Sequence, residues 1–108
     1  MARARNIKPG VFKNELLAEM PAFTRLLFIG LWTLADREGR LEDRPKRIKI
    51  ELFPFDADDI ESALSALCDA GFIHRYLING VSVISVVNFL KHQTPHGTEK
   101  DSELPAQD

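Results

Sequence analysis

The run FIHRYLINGVSVISVVNF, Phe72 to Phe89, decides the fold. Two stretches rich in β-branched and aromatic residues flank Asn79-Gly80. That dipeptide is the strongest short hairpin signal, because both central residues of the favoured tight turn take positive φ. The spacing predicts strands over 72–78 and 81–89, with Ile78 opposite Val81, Tyr76 opposite Val83 and Ile73 opposite Val86. Alternation then divides the side chains between two faces. One carries Ile73, Leu77, Ile84 and Val86, with Arg75 and Ser82. The other carries Phe72, Tyr76, Ile78, Val81, Val83 and Val87, with His74 and Ser85. Both are largely apolar, so the second face is expected to lie under the N-terminal arm or another subunit.

Working back from the hairpin, Ile60, Ala63, Leu64, Leu67 and Cys68 recur at helical spacing. Asp58 and Glu61 have capping-box spacing and Gly71 closes the helix. Cys68 lies on the apolar side and reads as a core residue. A longer helix is expected from Pro21, a residue favoured at the first helical position, to Ala35. Its apolar residues Phe23, Leu26, Leu27, Gly30, Leu31 and Leu34 repeat helically, while Phe28, Ile29 and Trp32 fall on other faces. A helix apolar nearly all round belongs at the centre of a domain. Gly39 is expected as its left-handed C′ residue. Ahead of it, Asn14 can cap a short turn through Met20, with Leu16 and Leu17 inward.

Between the two long helices, Arg40-Leu41-Glu42 suits a single short strand. Asp43 and Pro45 open a second helix that shares Ile48 and Leu52 on one face, and Phe53-Pro54 stops it. Helix, short strand, helix, helix, hairpin is the order of an α+β winged helix-turn-helix domain, three main helices plus a C-terminal β-hairpin wing. The expected boundaries are a basic arm at 1–13, the domain at 14–90 and a polar C-terminal tail at 91–108.

The 108 residues suffice for one domain with a single core. The one cysteine excludes an internal disulfide and fits a reducing cytoplasm. The longest uncharged apolar run, Leu26 to Ala35, is about half of the roughly 20 residues a membrane span needs. No phosphate loop or nucleophile motif is present. His92 and His96 have ligand-like spacing, but Pro95 breaks any helix that would align them. Asp56, Asp58, Asp59 and Glu61 lack the pattern of a calcium loop and suit a helix start instead. A non-enzymatic protein is expected, with no metal, cofactor, small-molecule substrate or membrane partner.

Charge points elsewhere. Residues 1–49 hold 11 Lys and Arg against 6 Asp and Glu, and residues 50–108 hold 3 against 10. A basic half can be a footprint for phosphate, or it can face the acidic half of another copy. Six of the 14 Lys and Arg lie in Asp36–Lys49: Arg37, Arg40, Arg44, Lys46, Arg47 and Lys49. With Arg3, Arg5 and Lys8 of the arm, and Arg75 and Lys91 of the ribbon and its end, they form the expected contact set for duplex DNA. The third main helix begins with four carboxylates, which repel phosphate, so backbone contact rather than base reading is expected. Interleaved Glu38, Glu42 and Asp43 also allow these residues to be only a solvated face. The competing expectation is a protein-interaction module that homodimerises or docks on another protein. Phe72, Tyr76, Ile78, Val83 and Trp32 are its candidate self-association residues.

Several strings carry a resemblance: Arg5-Asn6-Ile7-Lys8-Pro9-Gly10, Leu27-Phe28-Ile29-Gly30-Leu31-Trp32, Asp36-Arg37-Glu38-Gly39-Arg40, Arg44-Pro45-Lys46-Arg47-Ile48-Lys49 and Asn88-Phe89-Leu90-Lys91-His92-Gln93. Together, over about residues 5–96, the chain resembles the N-terminal domain of phage and prophage replication-initiation, or replisome-organiser-like, proteins. The resemblance implies a winged-helix module in the cytoplasm of a bacterial host that binds DNA or assembles replication proteins. It supplies no contact residues.

Overall fold

The computed structural model describes residues 2–107. A 3-10 turn over Pro9–Lys13 leads into α1 (Glu15–Ala18) and α2 (Ala22–Leu34). Strand β1 (Arg40–Glu42), α3 (Pro45–Leu52), α4 (Ile60–Asp69), β2 (Ile73–Ile78), β3 (Val81–Val86) and α5 (Phe89–His92) follow. Asn79 and Gly80 both adopt positive φ, 51° and 76°, so the hairpin closes with the expected register. β1 adds antiparallel to the other edge of β3, giving sheet order β1-β3-β2. This is an α+β fold compatible with the winged helix-turn-helix expected from the sequence.

Helix α2 is central because nearly every face of it is apolar. Leu27 and Leu31 are wholly buried, and Phe28 and Trp32 nearly so. The rings of Phe28 and Trp32 meet edge-on at 5.3 Å, and Phe28 also meets Phe72 at 5.3 Å. Leu64 and Leu67 of α4, Ile48 of α3, and Ile73 and Ile84 of the sheet complete the core. At Gly30 the close approach of α3 is plain: a Cβ there would lie 2.7 Å from Leu52 Cδ1.

Local departures from the sequence reading have simple causes. Leu16 and Leu26 are exposed, because Leu17 and Leu27 take the inward positions beside them. Asp59, not Asp58, caps α4; its carboxylate accepts from Ser62 N and Ser62 Oγ. Helix α2 ends at Leu34, so Gly39 is not its C′ residue. Gly39 instead turns the chain into β1, where Asp36 Oδ1 accepts from the backbone of Glu38 and Arg40.

The region expected as a tail is tied to the domain. Phe89 is buried in the core, and Gln93, 6% exposed, bonds both the N–H and the C=O of Asn6. Residues beyond it run along the molecule to Pro105, whose carbonyl accepts from Tyr76 Oη at 2.8 Å.

Candidate nucleic-acid interface

Helix α3 forms with Pro45 in its first turn and Ile48 turned into the core. That anchoring leaves the preceding residue and the next two side chains outside. Arg44, Lys46 and Arg47 are all exposed. Arg44 reaches only Glu42, at 3.8 Å between two well-solvated side chains, a pair that contributes little. Among the described residues, Lys46 and Arg47 have no ion-pair or hydrogen-bond partner for their charged groups. Lys49 is half-buried, and its Nζ donates to Phe53 O at 3.3 Å. Lys8 and Lys91 are exposed and adjacent, with Lys8 Nζ donating to Lys91 O.

Arg75 has a different role from the one expected. Its guanidinium donates to both carboxylate oxygens of Asp43 (2.7 and 2.9 Å) and both of Glu61 (2.8 and 2.9 Å). A longer bond to Ser65 Oγ occupies the remaining N–H. All five donors of the fork are engaged, so none is left for phosphate. The Arg75 guanidinium holds the Glu61 carboxyl down at about 2, and Ser65 adds to this. The clasp ties β2 to the start of α4 and the approach to α3. It also neutralises part of the acidic helix start noted in the sequence, although Asp56 and Asp58 stay exposed.

The arm arginines are likewise engaged within the chain. Arg5 donates to Trp32 O and Ala35 O, carbonyls at the end of α2, and lies 5.1 Å from the Phe89 ring centroid. It also grips Glu99 through two bonds of 2.7 and 3.1 Å, and its side chain is only 4% exposed. Arg3 approaches Glu99 at 3.5 Å, while Arg37 donates to Glu99 O. Arg40 donates to Leu104 O at 3.1 Å and Ser102 Oγ, and Ser102 bonds Asp36. The Arg5 guanidinium lowers the Glu99 carboxyl below the usual carboxylate range.

Glu99, Ser102 and Leu104 therefore organise the basic side of the molecule, and sequence reasoning overlooked them. The usable signal was the opposite charge of the two chain halves. That complementarity is satisfied here within one chain.

The proposed self-association residues are also accounted for internally. Trp32 is core, Val83 is fully buried, and Phe72 packs on Phe28. Leu104 O is held by Arg40 on β1 and Pro105 O by Tyr76 on β2. These consecutive residues thus bridge β1 and β2 over the intervening β3, on the face to which Arg40, Tyr76 and the fully buried Val83 belong. The cover expected from the arm or another subunit is thus the C-terminal segment. Of the five residues, Ile78 stays half-buried with no such partner.

A cleft of about 640 Å³ runs between α3 and this segment. Arg3, Arg40, Arg44 and Arg47 line it, with Asp101 and Glu103 on the tail side. Asp36, Glu42 and Glu51 also reach it, so its charge is mixed.

Among the described residues, no group of three or more His, Cys, Asp or Glu is placed to hold a metal, and no helix is long and apolar enough to cross a membrane. Searches against protein-family models, curated proteins and solved structures found no match.

Proposed function

We propose that this chain is a non-enzymatic winged helix-turn-helix protein of phage type that binds duplex DNA mainly through phosphates, in the initiation of phage DNA replication. The order α2-β1-α3-α4-β2-β3, with β3 between the other strands, supports the winged-helix reading. The replication role rests on the sequence resemblance. The observation that carries DNA binding is the trio Arg44, Lys46 and Arg47, exposed on one turn and scarcely paired. Flexible cations left in solvent suit phosphate contact without base reading. Lys8 and Lys91 form a second exposed basic site. Helix α4 holds the recognition position of such folds, but Asp56, Asp58 and the Arg75–Glu61 clasp make its start unsuited to a phosphate-lined groove.

The test is replacement of Arg44, Lys46 and Arg47 together by alanine. The variant should stay folded by circular dichroism and bind random duplex at least about tenfold more weakly at low salt. Undiminished binding by the folded variant rules the assignment out.

A second reading has its own observation. Phe55, in the connection after α3, is 97% exposed, and Ile50 on α3 is 66% exposed. Large apolar side chains left in water favour docking on a replication or host protein. Phe55→Ser should leave DNA binding unchanged under the first reading and abolish partner recruitment under the second.

A further inference from the structure

The C-terminal segment sits where the exposed cations of α3 would be extended into a larger basic surface. We infer that the surface under residues 99–105 is a second phosphate-binding site, contiguous with α3, and that the C-terminal segment and nucleic acid compete for it. This rests on the DNA-binding reading and adds to it a site and a means of control.

Three arginines carry the inference. Arg3, Arg37 and Arg40 each have their contact to the tail: Glu99 carboxylate, Glu99 carbonyl, and Leu104 carbonyl with Ser102 hydroxyl. A carboxylate and carbonyl oxygens are what phosphate oxygens replace most directly. Arg3 also has a buried Nε with no hydrogen-bond partner, so its present seating leaves a donor unsatisfied. Arg40 and Arg3 line the same cleft as Arg44 and Arg47, which places the shielded and the exposed cations side by side. The tail contributes Glu99, Asp101 and Glu103 against a single Lys100. Its departure leaves Arg3, Arg40, Arg44 and Arg47 facing Asp36, Glu42 and Glu51 alone.

The attachment is mainly polar, through anchors at Glu99, Ser102, Leu104 and Pro105. Glu99, nearly buried against Arg5, is its firmest point, which makes it the position to weaken. Local opening of such segments lies at the low end of the stability range. Arg5 differs from the other three: it keeps Trp32 O, Ala35 O and the Phe89 ring when the tail leaves. It is the fixed post, and the domain stays intact around it.

A ligand that needs the tail-free state binds with its affinity reduced by the fraction of molecules in that state. Loosening the tail therefore strengthens binding without adding a contact. The experiment uses the full chain as wild type, as Glu99→Gln, as Tyr76→Phe, and as Glu19→Gln. The last removes the same charge from an exposed site away from the tail. Binding to random duplex DNA is read by fluorescence anisotropy, and backbone hydrogen exchange is followed with and without DNA.

Glu99→Gln should bind at least about threefold more tightly than Glu19→Gln. Tyr76→Phe, which changes no charge, should bind more tightly than wild type. In wild type, DNA should accelerate exchange across residues 99–105 while slowing it in α3. Equal affinities of the two Gln variants, with unaltered exchange in 99–105 despite DNA binding, overturn the competition and leave the α3 reading standing. Absence of binding by wild type and by Glu99→Gln alike overturns both.

Discussion

Gly39 and Glu61 show how single residues fix this fold. At Gly39 φ is +83°, and a Cβ would lie 2.6 Å from Phe89 Cβ. Alanine there meets both left-handed backbone strain and a clash with a buried ring, so Gly39→Ala should cost about 2–4 kcal/mol in urea unfolding. The positive φ was legible from the sequence, but its cause was not, since Phe89 arrives from fifty residues away. Glu61 makes a pH-dependent contribution. Its carboxyl falls from an ordinary 4.5 to about 2 in the folded chain, chiefly because Arg75 bonds the charged form. A depressed carboxyl stabilises the fold fully above its unfolded value and loses that contribution as pH falls through the folded value. Stability should therefore drop between pH 4.5 and about 2, and Glu61→Gln should flatten part of that slope in pH-dependent urea titrations. The exposure of Glu61 keeps the effect modest.

At the scale of elements, hydrophobic period and turn chemistry carried most of the reading. The helical repeat of α4, its Gly71 stop and the hairpin register were all visible, because each depends on neighbours in sequence. In the structure, Gly71 N donates to Cys68 O and Phe72 N to Leu67 O, the pattern that a left-handed glycine permits. The role of Arg75 was not visible, because Asp43 and Glu61 reach it from two other elements. Single alanine variants separate structural cations from those proposed to contact phosphate. Arg75→Ala strands two carboxylates and should destabilise the domain by about 1–3 kcal/mol in chemical denaturation. The exposed side chains of Arg44, just ahead of α3, and of Lys46 and Arg47 on it should each be replaceable by alanine within about 0.5 kcal/mol of parental stability. An α3 variant as unstable as Arg75→Ala would show that its cations are structural.

For the whole molecule, the main correction concerns the C-terminal segment. Its polar composition suggested a tail, yet its few anchors engage the arm, the turn before β1, and strands β1 and β2. Composition does not reveal such docking, because it depends on complementary charges far apart in the chain rather than on an apolar period. Trp32 and Val83 are buried within one chain and offer no surface to a second copy. Light scattering at micromolar concentration should return the 12.2 kDa of a single chain. The central claim is phosphate contact by the exposed cations of α3, and its most direct test is the salt dependence of binding to random duplex DNA. With about four phosphate contacts, affinity should fall on the order of a hundredfold between about 50 and 200 mM salt, and the Arg44, Lys46 and Arg47 triple variant should lose most of that slope. A salt-independent affinity, or a slope unchanged in the folded triple variant, would contradict the account.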